Sequence, residues 1–344
     1  MDQIKWATGV GRTTVKHRVI GVVLFGFGVL LLVLAVGLPV YVAPAVAKLP
    51  YDLDKSTSVA EAQNATFPKV TAGKMELRTG LLRSTTNVVP QAKLTEERSD
   101  QLKGDAVIWD VYGIAVAGSD GAKVTESTTE LALDRVSGAA YDWPDAWVDE
   151  DNLGKGNAEK IKFVGHSYKL PFGTEKKDYP FWDAELRAAN PIKFKGVEAV
   201  GGLEVYRFEQ TIDLQKISMS DAAKGLVIST FTPGATGGDL YYSNTRTIWV
   251  EPVTGQFLNV REVRHQEFRS DTGVTKTLLD ADFNYTQATI DKAVEGAGAN
   301  SSKINLLKVY APIGLGILGL LLLGFGLLLV ARTPRTSRHG VDAA

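Results

Sequence analysis

Two stretches of this chain carry no charged side chain, Val19 to Ala47 and Val309 to Ala331. An α-helix rises 1.5 Å per residue, so about 20 apolar residues cross a bilayer core about 30 Å thick. Each stretch therefore predicts a transmembrane helix. Between them the pattern changes to β-branched and aromatic runs cut by turn dipeptides. Ala106 to Tyr112 is such a run, and Asp120-Gly121, Ser137-Gly138 and Thr272-Gly273 mark turns. Alternation is clearest from Thr245 to Tyr285, where Thr247 to Val250, Phe257 to Phe268 and a last strand ending at Tyr285 predict a half-buried meander. Helix is the minority: a short one over Ser218 to Leu226, and one over Thr286 to Lys308 with breaks near Gly296 and Gly298. Residues 141 to 160, with Asp142, Pro144, Gly154, Gly156 and Asn157, predict a long exposed loop. The expected fold class is a membrane protein with two transmembrane α-helices and a mainly antiparallel β (β-rich α+β) extracytoplasmic domain.

Charge at the flanks orients the spans. Lys5, Arg12, Lys16 and Arg18 precede the first, and Arg332, Arg335 and Arg338 follow the second. Positive flanks stay cytoplasmic, and the two sets agree. The expected layout is a cytoplasmic tail (1–18), a first span (19–47), an extracytoplasmic domain (48–308), a second span (309–331) and a second cytoplasmic tail (332–344). The protein is thus expected in the cell (inner) membrane. Tyr41 and Tyr310 sit near the outer ends, at headgroup level. Ala45-Val46-Ala47 also fits a signal-peptidase site, although the apolar run before it far exceeds a signal-peptide core of about 7–15 residues. Gly21 and Gly28 are seven apart, as are Gly319 and Gly326. That spacing sets each pair on one helix face, as a packing surface against another helix or another copy.

Residues 48–308 hold 31 Lys+Arg against 37 Asp+Glu, with no basic stripe interleaved with aromatics, which argues against nucleic acid. Cysteine is absent, removing disulfides, thiolate metal sites and thiol nucleophiles. The four histidines are His17, His166, His265 and His339; no zinc-protease, serine-hydrolase or phosphate-loop motif accompanies them, and no cofactor is implied. Counting from Asp149 as a calcium loop, Asp151 and Gly154 fit but Leu153 and Lys160 do not, so a solvated acidic loop is the better reading. Aromatic density does stand out. Tyr141, Trp143, Trp147, Phe172, Tyr179, Phe181 and Trp182 read either as core or as a surface for an apolar or sugar ligand.

Several segments carry a family resemblance. They are Leu133-Asp134-Arg135 with Ser137-Gly138, Lys169 to Phe172 leading to Tyr179-Pro180-Phe181-Trp182-Asp183, Gly202 to Phe208, and Arg246 to Pro252 with Gly255. Together they resemble the actinobacterial porin PorA family, formerly a domain of unknown function, over nearly the whole chain. The resemblance implies an envelope protein associated with assembly of mannose-based lipoglycans of the lipomannan and lipoarabinomannan type. It also implies an outer domain distantly similar to the class B scavenger receptors, which have a helix at each end and a lipid-binding ectodomain. No receptor residue matches one here, so no site is carried over. An ordinary porin is a transmembrane β-barrel; two apolar helices are a different commitment.

The leading expectation is a non-enzymatic protein that binds or transfers a lipid or lipoglycan intermediate. Its expected partners are the bilayer, that intermediate, envelope biosynthetic enzymes and further copies of itself. The alternatives are an oligomeric porin-like channel, and a scaffold or carboxylate-dependent envelope enzyme. A channel would predict polar positions inside the spans, and there are no charged ones.

Overall fold

The computed structural model describes residues 10–150 and 158–332. They form two compact units, one of residues 47–301 and one of the chain ends that carries the apolar helices. The Lys5, Arg335, Arg338 and His339 flank residues, and positions 151 to 157 with the Asp151, Leu153, Gly154, Gly156 and Asn157 readings, lie outside the described residues.

Among the described residues the β-branched runs of the larger unit become twelve strands: β1 (Ser56–Thr71), β2 (Lys74–Pro90), β3 (Ala106–Ala117), β4 (Lys123–Asp134), β5 (Trp147–Asp149), β6 (Glu159–Lys160), β7 (Tyr179–Asp183), β8 (Ala188–Val200), β9 (Leu203–Ile217), β10 (Gly238–Val250), β11 (Phe257–Ser270) and β12 (Thr275–Tyr285). They lie in the order β6-β5-β4-β3-β2-β1-β12-β11-β10-β9-β8-β7, with each neighbouring pair antiparallel.

Short bridges continue the hydrogen bonding from β4 round to β7, at the other end of the sheet. Asp134 N donates to Ala139 O (2.8 Å) and Ala140 N to Gly165 O (2.7 Å). His166 N donates to Pro180 O (2.9 Å), and Trp182 N to His166 O (2.8 Å). The sheet is therefore a closed ring, which leaves fewer open edges to pair with other chains.

Strand alternation sorts side chains between the two faces of this ring. Outward positions carry ion pairs: Arg261–Asp282 at 2.7 Å, Arg83–Glu61 at 2.8 Å and Arg207–Glu198 at 2.6 Å. A lipid-facing barrel needs an apolar outer band, so this ring faces water. The inward face holds the core. Trp109, Leu131, Leu133, Trp143, Phe163 and Trp182 pack in one cluster, and Leu170, Tyr179, Phe181, Ile192, Phe208, Ile248 and Val250 in another.

A short segment ties the two clusters to the β10–β11 turn. Gly255 takes φ +73°, and a Cβ there would lie 2.0 Å from Leu170 O, so only glycine fits. Leu170 N donates to Gly255 O at 2.9 Å.

Among the described residues there are seven α-helical segments: α1 (Val10–Gly37), α2 (Ala43–Val46), α3 (Ala92–Glu97), α4 (Ser99–Leu102), α5 (Asp221–Phe231), α6 (Gln287–Asn305) and α7 (Ala311–Ala331). A π-helical turn, Leu38–Val42, joins α1 to α2, and another, Leu306–Tyr310, joins α6 to α7. α5 starts three residues later than its sequence pattern suggests, because Ser220 caps it by accepting from Ala223 N. α6 runs unbroken through Gly296 and Gly298. A mid-helix glycine costs only about 1 kcal/mol, too little to break a helix of this length.

The segment expected as an exposed loop over 141 to 160 is different from its pattern. Trp143, Ala146, Trp147 and Asp149 are buried, and β5 and β6 extend the sheet there. Its indoles find polar partners: Trp143 Nε1 donates to Gln101 (3.0 Å) and Trp147 Nε1 to Glu130 (2.7 Å), so their apolar bodies can go inside.

In the smaller unit α1 and α7 run antiparallel with their backbones in contact. A Cβ on Gly28 would meet Gly319 O at 2.7 Å, and one on Gly21 would meet Gly326 O at 2.9 Å. The seven-residue spacing repeats the approach after two turns. Most of the remaining helix surface is apolar and exposed, including Val33, Val36, Leu320, Leu321 and Phe325.

Candidate functional site

Three places hold the residues from which an activity could be built. The first is the aromatic set. Trp143, Trp147, Tyr179, Phe181 and Trp182 are 4–9% exposed, while Tyr141 and Phe172 are half-buried. They are spread over the core and do not gather around one cavity. Trp182 stands edge-on to Phe163 at 5.2 Å, Phe181 lies 6.0 Å from Phe257, and Tyr179 meets His166 at 5.4 Å and Phe208 at 5.9 Å. Trp143 and Trp147 border an open pocket, about 260 Å³, shared with Leu94, Arg98, Glu130, Asp145, Ala158 and Lys160.

Beside this core lies Lys169, 6% exposed. Its Nζ donates to Leu170 O at 2.8 Å and sits 3.8 Å from the centre of the Phe172 ring. Burial pushes its ammonium down to about 7, against the pull of Asp134. Because the unfolded lysine holds its proton to about pH 10.4, the unfolded state binds more protons between pH 7 and 10. Stability is therefore expected to rise over that window and flatten below it. Lys169→Met removes the titrating group, so wild type should gain on it by a few kcal/mol as pH rises from 7 to 10. Thermal unfolding at several pH values reads the gap, and a constant gap would refute it.

The second place is a charged network on the inward face of β10 and β11. Inward positions of β10 are Leu240, Tyr242, Asn244, Arg246 and Ile248; facing them on β11 are Phe268, Gln266, Arg264, Glu262 and Val260. The β7–β8 hairpin folds over this surface. Asp183, fully buried, accepts from Tyr242 Oη (3.0 Å) and Arg246 Nη2 (3.2 Å), and its other oxygen accepts from Leu186 N (3.1 Å). Arg246 also donates to Glu262 and to Gln210, whose amide donates to Phe181 O and Asn190 O at 3.0 Å. Glu185, at the hairpin tip, accepts from Arg264.

Burial works against ionising Glu262, but Arg246, with Arg264 beside it, outweighs that and holds the carboxyl below its usual range. Burial also pushes the Tyr242 hydroxyl well above its ordinary value. Sequence reading missed this network. Its signal was charge at alternate strand positions, Arg246, Glu262 and Arg264, where an apolar residue would suit a core.

The third place is the helix pair, whose four glycines Gly21, Gly28, Gly319 and Gly326 form the contact described above. Among the described residues no cluster of His, Cys, Asp or Glu is arranged to hold a metal.

Two long apolar helices at the chain ends and a twelve-stranded antiparallel sheet between them define a membrane protein with a β-rich domain. A family model described as porin PorA matches residues 20–328, and the chain belongs to the porin PorA family. Its relatives include a porin PorA of Corynebacterium resistens, 24% identical, covering 94% of this chain and 98% of that one. A porin PorA of Corynebacterium amycolatum is 28% identical over 31% of this chain and 34% of that one.

Proposed function

We propose that the chain is a subunit of a porin-like channel, with a conducting path that forms only when copies assemble. The supporting observation is that the match to the porin PorA family runs through both helices, from residue 20 to 328. Within one chain α1 and α7 are closed on each other at the two glycine pairs, so a path between helices has to come from further copies. Antiparallel packing of α1 and α7 supports the two-span layout, with residues 48–308 extracytoplasmic. It brings the Arg18 and Arg332 ends of the helices to the same side, in keeping with cytoplasmic retention of positive flanks.

Purified full-length protein should run as a defined oligomer by native mass spectrometry and give discrete conductance steps in planar bilayers. A defined oligomer that stays silent across voltages and salts would remove the channel reading.

A second reading, binding or transfer of a lipid or lipoglycan intermediate in envelope assembly, is favoured by one specific observation. The spans bring no charged side chain to a conduction path, whereas most of the chain is a closed sheet with an interior. A lipid retained by silent protein would move the assignment to it.

A further inference from the structure

The ring is not closed with equal strength all the way round. Long ladders join β1 to its neighbours and run from β8 to β12. By contrast β4 meets β5 over three residue pairs and β5 meets β6 over two. Among the described residues β6 and β7 share no ladder, and the isolated bridges Ala139–His166 and His166–Phe181 close that gap at one level only. Strand β8 widens it. Residues 188–192 turn away to pair with β7 and residues 193–200 pair with β9, so β9 residues 211–217 pair with β10 alone among the described residues.

Beyond the bridges, the gap is spanned by the turn of the β7–β8 hairpin, residues 184–187, which side chains hold in place. Three alternate residues reach three anchors. Asp183 accepts from Tyr242 and Arg246 on β10, Glu185 accepts from Arg264 on β11, and Arg187 donates to Glu150 (2.9 Å) and Glu159 (2.7 Å) of the β5–β6 hairpin. These anchors are unequal. Asp183 is fully buried, and a buried pair is hard to break. The Arg187 side chain is 39% accessible and its two partners 63% and 61%; exposed pairs of this kind are weak and screened by salt. Glu185 and Arg264 lie between, at 33% and 26%. Arg187 also holds a φ of +51°, a left-handed conformation that an L side chain resists, so release relaxes its backbone. Beneath the turn stand the charged Arg264 and Glu262 rather than apolar core, so admitting water there gives up little apolar burial.

We propose that the turn of the β7–β8 hairpin is a salt-sensitive latch on a side opening of the ring. It pivots at Asp183, releases Arg187 from the β5–β6 hairpin and then Glu185 from Arg264, and opens the inward face of β10 and β11 to water and small polar solutes. The device lies wholly within the sheet unit and does not depend on how the helices assemble.

A chain without cysteine lets one introduced thiol report on the latch. Asn244 is 2% exposed, lies between Tyr242 and Arg246 on β10 and pairs with Arg264 across the ladder, so Asn244→Cys is shielded while the turn is down. Its labelling by the neutral reagent N-ethylmaleimide, on full-length protein in detergent, should be roughly three- to tenfold faster in high salt than in low salt, as loss of two exposed ion pairs implies. Adding Arg187→Gln should give the fast rate already in low salt. Asp213→Cys, on an exposed position of β9, should label alike in every condition. Arg187 is exposed, so its variant should fold, which unfolding curves verify. Amide exchange on the unaltered protein gives an independent reading: residues 184–192 should exchange faster in high salt while β10 and β11 stay protected. Labelling that ignores both salt and Arg187→Gln, or exchange that rises equally in β10 and β11, would overturn the proposal.

Discussion

Replacing Asp183 with alanine is expected to destabilise the protein by about 3–5 kcal/mol, the cost of breaking a buried ion pair from one side. The carboxylate is fully buried and accepts from Tyr242, Arg246 and Leu186 N. Truncation strands a buried guanidinium, a buried phenol and a turn amide together. For a unit of this size, the loss corresponds to a melting temperature lower by roughly 6–20 °C. Asp183→Asn should fall between, because an amide oxygen can still accept from Leu186 N but brings no charge to Arg246. Unfolding followed by tryptophan fluorescence measures both. A change within 1 kcal/mol, as typical of surface positions, would show that the hairpin does not depend on this contact.

The second large effect is expected in the membrane unit. Gly28→Leu places a side chain where even a Cβ would lie 2.7 Å from Gly319 O and 2.8 Å from Leu323 N, both backbone atoms. Backbone cannot be accommodated by a rotamer change, so the helices must separate over at least that turn. The absence of native cysteine makes this easy to read. A Cβ on Gly316 would lie 4.0 Å from the Ala35 Cβ, within the spacing of about 3.5–4.5 Å that a disulfide needs. The double variant Ala35→Cys with Gly316→Cys should crosslink readily in the native background. With Gly28→Leu added, the yield should fall several-fold. Undiminished crosslinking would mean that the glycines are incidental to packing.

How much of this was legible beforehand depended on whether a pattern had one physical cause. Uncharged length has one, so both helices could be read directly. Alternation with turn dipeptides has nearly one, and the meander ending at Tyr285 emerged as β10, β11 and β12 with Phe257 opening its strand as expected. Aromatic clustering in sequence has two, core and binding surface, and the structure packs Tyr179, Phe181 and Trp182 among core residues. The loop over 141 to 160 was misread because Pro, Gly and Asp report backbone irregularity, not exposure. The indole partners Gln101 and Glu130 that allow Trp143 and Trp147 inside lie 42 and 17 residues away. Ring closure through Ala139, Ala140, Gly165 and His166 rests on isolated bridges too short to leave a periodic signal.

The ladder that seats β1 beside β12 ties folding of the sheet to near-completion of synthesis. The first strand to leave the ribosome waits for the last one, more than two hundred residues later, and α1 likewise waits for α7. Until then β1 presents an unpaired edge, and such edges invite pairing with other chains. During that interval the exposure of the nascent chain to aggregation is set by elongation rate rather than by final stability. Slowing translation within β9 to β11 should therefore lower the yield of folded protein even though every residue is unchanged.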